Sequence, residues 1–281
     1  MSQGIHKLLK TPQGISSLKK RMPLIIAAAA LLLFSGLFLF LYFYNDTLRF
    51  HHMTEEFFAK AFRQDSLSLH YTLAEPSDYL QKPSPATLPL YSRQSRQEAA
   101  AALENQLLIL QEINPERLNQ QDRYTWSLLV PYLENELAGA RCEYYEEPLT
   151  PSSGMQSQLP VLLAEYSFRT KEDLEDYLEI LESVPAYLES LAQYEKEKAN
   201  AGLFMTKSDA SNIVKQCDTI MDPDLLSAGE HFLQTTFQER AEALVQEGLL
   251  TGEEMELYIA ENNRILTTLV APAYIALADA V

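Results

Sequence analysis

One stretch constrains this chain before any other. Residues 23–44 read Pro-Leu-Ile-Ile-Ala-Ala-Ala-Ala-Leu-Leu-Leu-Phe-Ser-Gly-Leu-Phe-Leu-Phe-Leu-Tyr-Phe-Tyr, with no charged residue. As a helix, 22 residues rise roughly 33 Å, enough to cross a hydrocarbon core of about 30 Å. Tyr42 and Tyr44 close the run with rings suited to the membrane–water interface. A cleaved signal peptide is the alternative, but its apolar region is shorter and ends in small residues. The run is therefore expected to be an uncleaved signal anchor whose partner is the lipid bilayer.

The flanks set the expected orientation. Residues 1–22 hold Lys7, Lys10, Lys19, Lys20 and Arg21 and no acid, whereas Asp46, Glu55 and Glu56 follow the run. Basic flanks stay in the cytoplasm. The expected layout is a cytoplasmic basic tail (1–22), a single-pass anchor (23–44) and an extracellular domain (45–281).

Of the 22 basic residues, five precede residue 45, and none of the 39 acidic residues does. That leaves 17 bases against 39 acids outside, a charge of −22. Such a surface repels nucleic acid, so none is expected as a partner. Residues 45–281 suffice for one large domain or two small ones. Gly is scarce, at nine, and Leu, Glu, Ala and Gln dominate, which favours an all-α bundle with kinked long helices. A disulfide between Cys142 and Cys217 is open to an exported domain, and so is burial of free thiols.

Leu48, Met53, Phe57, Phe58 and Phe62 space an aromatic helix stripe just after the anchor. Ser66 to Leu73 alternates apolar and polar residues, which predicts an extended segment lying on the helices. Prolines at 76, 83, 85 and 89 predict a loop. Ser95 with Glu98 predicts a capping box, followed by a helix that stops at Asn114-Pro115. A helix over about 119–144 should kink at Pro131, and a short one covers 155–166. Thr170 with Asp173 caps a long acidic helix that Pro185 should bend or divide and Gly202 should stop. Helices then open at Ser208, span 225–247, and start again at the Thr251–Glu254 capping box. The last eleven residues are apolar apart from Pro272 and Asp279, as if the chain were part of something longer.

Reaction chemistry is hard to find. There are five histidines: His6, His51, His52, His70 and His231. No His-Glu-x-x-His, Gly-x-Ser-x-Gly or Gly-rich phosphate loop occurs. His51 and His52 point about 100° apart on a helix and cannot readily share a metal. His231, beside Glu230, is expected at the polar edge of its helix. Glu172-Asp173 and Glu253-Glu254 fall in first helical turns, where the dipole favours them. Glu146-Glu147 follows Tyr144-Tyr145 in a chain break, a mix able to contact a ligand.

Four stretches carry a resemblance. These are Ser66 to Pro76, Pro151 to Pro160 with Phe168 to Leu178, and Val270 to Tyr274. They resemble the bacterial domain-of-unknown-function 885 proteins over most of residues 50–281. The resemblance implies a helical fold and a link to suspected zinc metallopeptidases. Their metal motif pairs His-Glu with a downstream Pro-Gly-His-His in a C-terminal half. No position of this chain matches that motif, so no catalytic, cofactor-binding or metal residue is assigned. Zinc is implied only for complete members. The chain is expected to correspond to a non-catalytic N-terminal portion, inactive alone, or else to a binding or scaffolding module. Its expected partners are a peptide substrate or a missing C-terminal half. Tyr144, Tyr145, Gln156 and Gln158 are the candidate wall residues of a substrate cleft, because polar and aromatic groups gather there around chain breaks.

Overall fold

The computed structural model describes residues 12–62, 65–74 and 85–281. The expectations for the basic residues before position 12 and for much of the proline-rich loop lie outside them. Among the described residues, all regular structure is helical. The helices are α1 (Pro12–Tyr44), α2 (Asp46–Phe62), α3 (Ser66–Thr72), α4 (Arg93–Glu112), α5 (Gln120–Ala140) and α6 (Met155–Glu165). They continue with α7 (Lys171–Asn200), α8 (Lys207–Ile220), α9 (Pro223–Ala228), α10 (Phe232–Gln246), α11 (Gly252–Ile265) and α12 (Ala271–Ala280).

Two compact units divide the chain, one comprising residues 1–54 with 109–129 and the other 55–108 with 130–281. The first holds α1, which starts ahead of the expected Pro23. Its stretch Met22–Tyr42 is long and apolar enough to cross a membrane, with mean hydropathy 2.8. Phe50, Met53, Leu110, Ile113 and Leu118 are buried. Charged pairs fasten this unit: Arg49–Glu112 at 2.7 Å, Arg117–Asp46 at 3.2 Å and His51–Asp122 at 2.8 Å. Tyr124 and Leu128 of α5 lie at apolar positions of its helical repeat but are exposed. Leu133 and Leu137, further along the same helix in the second unit, are buried.

The second unit is built around α7. Leu174, Tyr177, Ile180, Leu181, Val184, Leu188 and Leu191 recur at helical spacing and are all buried. Each fully buried leucine contributes roughly 1.5–3 kcal/mol. Against α7 pack α12, the turn before it, α11 and α3. Thr170 and Asp173 form the expected capping box. Pro185 does not divide the helix, which runs unbroken for 30 residues. Proline leaves one carbonyl without its N–H donor, and packing on all these neighbours outweighs that loss. Gly202 ends the turn after α7 at φ 79°, left-handed backbone that glycine adopts freely.

Several expectations need correction. Residues 66–72 are helix, not an extended segment. Asp65 accepts from the Ser68 amide as N-cap, and Ser66, Leu67, Leu69 and His70 are buried on one helical face. The extended segment lies instead at residues 86–91. Its amides reach side chains of α7: Ala86 N to Glu179 Oε2, Leu88 N to Ser183 Oγ and Tyr91 N to Ser190 Oγ. Helix side chains thus stand in for a partner strand.

The second correction concerns α4. It begins at Arg93, and Ser92 and Ser95 exchange amide-to-hydroxyl bonds, both at 3.0 Å. Glu98 accepts from Gln94 instead of capping.

The third is a break in the expected 225–247 helix. Gly229 has φ 74°, and His231 starts α10 as its N-cap. His231 is fully buried, not at a polar edge.

Similarly, α8 starts one turn-residue earlier than Ser208, capped by Thr206. The helix after the Thr251–Glu254 capping box also departs from regularity, because residues Leu266–Val270 form a π turn. There the Ala271 amide donates to Leu266 O. Pro272, one residue on, has no N–H to give, so a register shift costs little at this point.

Candidate functional site

The site is assembled in the second unit where the start of α4, the end of α5 and the last turns of α7 converge. Tyr91 arrives there because the 86–91 segment is tied to α7 up to its last amide. Arg93 and Arg96, three residues apart, share one face of the first turns of α4. Tyr194 lies near the end of α7. The loop after α5 brings in residues 141–147.

Together they line an open cavity of about 790 Å³, whose walls include Tyr91, Arg93, Arg96, Glu143, Tyr145 and Tyr194. That volume suits a small organic molecule or a short peptide end.

The Arg96 guanidinium is central. Its carbon lies 4.4 Å from the Tyr194 ring centroid, 5.6 Å from Tyr91 and 6.0 Å from Tyr144. A cation against aromatic faces gains from the ring quadrupoles. The rings brace one another: Tyr91 meets Tyr194 edge-on at 4.8 Å, and Tyr144 lies 5.8 Å from Tyr194. The Tyr194 hydroxyl donates to Glu146 O, and burial pushes its pKa up to about 12.

The polar edges of Arg96 are less well served. Nη1 donates to Glu143 O at 3.1 Å, while Nη2 faces Glu197 at 3.7 Å, beyond a hydrogen bond. Nε of Arg96 and the hydroxyl of Tyr91 are buried without partners. Arg93, by contrast, is pinned to Glu143 at 2.5 Å, and Arg141 faces Glu104 at 3.6 Å. In the last turn of α7, the buried Lys198 ammonium pairs with Glu147. Burial also raises the pKa of Glu195.

Of the four predicted wall residues, Tyr145 lines the cavity and is 74% exposed. Tyr144 sits beside it, touching Arg93, Arg96 and Tyr194. Gln156 is placed elsewhere, fully buried, with Nε2 donating to Thr150 O and Gln216 Oε1. Gln158 is exposed on α6, away from the cavity. Arg96, Tyr91 and Tyr194 went unpredicted. Their only signal was two arginines three residues apart in a domain where acids outnumber bases more than two to one.

Cys142 is exposed on the rim of the cavity and Cys217 is buried; both are free thiols. Among the described residues, no group of three or more His, Cys, Asp or Glu side chains is arranged to hold a metal ion. The described residues therefore do not fit a zinc centre.

Fold and site thus define a helical protein with an apolar N-terminal helix and an aromatic, arginine-centred cavity. Residues 79–281 match the family described as "Bacterial protein of unknown function (DUF885)", and the chain belongs to that family. No curated protein matches it. A crystal structure described as "the putative lipoprotein from Colwellia psychrerythraea" is similar at TM-score 0.69 and 14% identity. The match covers 84% of this chain and 40% of that one, so this chain spans well under half of its neighbour's length. At that identity the likeness speaks for the fold alone.

Proposed function

We propose that this chain is a membrane-tethered binding domain. In this reading α1 is a single-pass anchor with its N-terminus in the cytoplasm, and the helical unit lies outside. It corresponds to the non-catalytic portion of a longer metallopeptidase-like architecture, and its cavity is one wall of a substrate cleft. The observation that carries this is the 790 Å³ cavity, formed within the part of the chain that matches the family. The basic flank before the apolar helix and the acidic balance after it support the orientation.

The test is peptide hydrolysis by the purified full chain in detergent, with and without a chelator. No chelator-sensitive cleavage is expected. Cleavage that a chelator abolishes would overturn the non-catalytic reading.

A second reading is a binding or scaffolding module with no enzymatic counterpart. It is favoured by the cavity's being lined by this chain's own residues, with no other chain needed to form its walls. Sequencing the genomic frame downstream separates the two. A continuing frame encoding His-Glu and Pro-Gly-His-His supports the first reading.

A further inference from the structure

We propose that the cavity recognises a single carboxylate carried on an apolar or aromatic body, with Arg96 as the anion-binding fork. This deepens the binding reading above and rests on it.

Three observations converge on Arg96. Its guanidinium carbon lies 4.4–6.0 Å from the ring centroids of Tyr194, Tyr91 and Tyr144, a cation set among aromatic rings. Its edges make a single hydrogen bond, from Nη1 to Glu143 O; Nε has no hydrogen-bond partner, and Nη2 is only ion-paired with Glu197 at 3.7 Å. Of the other guanidiniums on the cavity, Arg93 is held by Glu143 at 2.5 Å, and Arg141 pairs with Glu104 at 3.6 Å but is 68% exposed, against 21% for Arg96. The Nε–Nη2 edge, which makes no hydrogen bond, matches the two oxygens of a carboxylate that takes the place of Glu197.

The acids on the same walls decide the ligand's charge. Glu136, Glu143 and Glu146 line the cavity. A dianion such as phosphate meets these three carboxylates for one guanidinium edge without hydrogen bonds, whereas a monoanion meets less repulsion. Tyr145 at the mouth, with the rings of Tyr91 and Tyr194, offers stacking area to the ligand's body. The carboxylate can come from a free organic acid or from the C-terminus of a peptide, and the test separates these.

The full chain in detergent is titrated calorimetrically with benzoylglycine, the tripeptide Gly-Gly-Phe, the C-terminal amide of each, and inorganic phosphate. Each acid is expected to bind at least about tenfold more tightly than its amide, as a charge-assisted bond predicts. Arg96→Gln is expected to remove that difference. Tyr145→Ala alters an exposed ring outside the core, so it reports even if Arg96→Gln fails to fold. It is expected to weaken both acids about threefold or more. Equal binding of acid and amide, binding of neither acid, or tighter binding of phosphate overturns the proposal. So does unchanged acid affinity in Tyr145→Ala or in folded Arg96→Gln. Discrimination with benzoylglycine alone sustains the carboxylate site and overturns the peptide-wall reading.

Discussion

The imidazole Nε2 of His231 sits 2.6 Å from the carbonyl oxygen of Ile220, and its Nδ1 accepts the Leu233 amide at 3.3 Å. One buried ring thus joins the end of α8 to the start of α10. The two bonds require a neutral ring protonated on Nε2, which donates to Ile220 while Nδ1 accepts. Nothing about His231 in the chain distinguishes this bridge from a metal ligand or a surface residue.

His231 therefore predicts a pH effect with a definite sign. Burial, the largest influence, holds its pKa below the ordinary histidine value despite the Ile220 bond. Below the unfolded pKa the unfolded chain binds more protons, so stability falls as pH drops below about 6.5. Urea unfolding of wild type and His231→Ala between pH 5 and 8 checks this. The variant should lose about 1–3 kcal/mol at pH 8 and show a flatter profile between pH 5 and 7.

Gly154 is predicted to tolerate no side chain. A Cβ there would come within 2.0 Å of Gln156 Oε1 and 2.3 Å of Thr150 N. Gln156 cannot yield freely, because its Nε2 is held by Thr150 O and Gln216 while its own carbonyl accepts from Tyr274. Gly154→Ala should destabilise the protein by about 1–3 kcal/mol through overpacking, measured by denaturant unfolding. A variant as stable as wild type would refute this geometry.

The capping box of α11 should govern an acid limb. Lys171 donates to Glu254 at 2.8 Å, and this bond, with those from Thr251, lowers the Glu254 pKa from 4.5 to about 2. A depressed carboxylate pKa stabilises the fold above the unfolded value and loses that contribution as pH falls from about 4.5 to 2. Carbon-detected NMR titration of the Glu254 carboxyl checks the value. Lys171→Met should move its midpoint upward, toward the ordinary range.

The two thiols should separate cleanly by reactivity. Cys142 is exposed, while burial raises the Cys217 pKa to about 11. A membrane-impermeant maleimide should label one thiol per native chain and two after denaturation, with mass spectrometry placing the first at Cys142. In intact cells the same reagent tests orientation, since labelling of Cys142 from outside is expected only if the helical unit is exported.

Much of the helix plan could be read directly from the chain. The Thr170–Asp173 and Thr251–Glu254 boxes depend on residues three apart, so local chemistry alone specifies them. The period-two run at 66–73 misled because four of its first five residues are buried once Asp65 caps a helix there. The true extended segment needs acceptors from α7, about 95 residues away, which no local pattern reveals. The cavity has the same origin. Tyr144 and Tyr145 were legible as an aromatic pair at a chain break, but Tyr194 read as one more apolar position on a long helix. Gln156 shared the polar pattern of a wall residue and proved to be buried in an amide network.

By itself the amino-acid order determined the helical class, the apolar N-terminal helix and the capped starts of α7 and α11. These follow from composition, periodicity and contacts within one turn. Only the tertiary structure decided where the chain bends at Gly229, which ring bridges α8 to α10, and which arginine the tyrosines enclose. Such features arise from side chains far apart in sequence, and the burial that selects them exists only once the helices have packed.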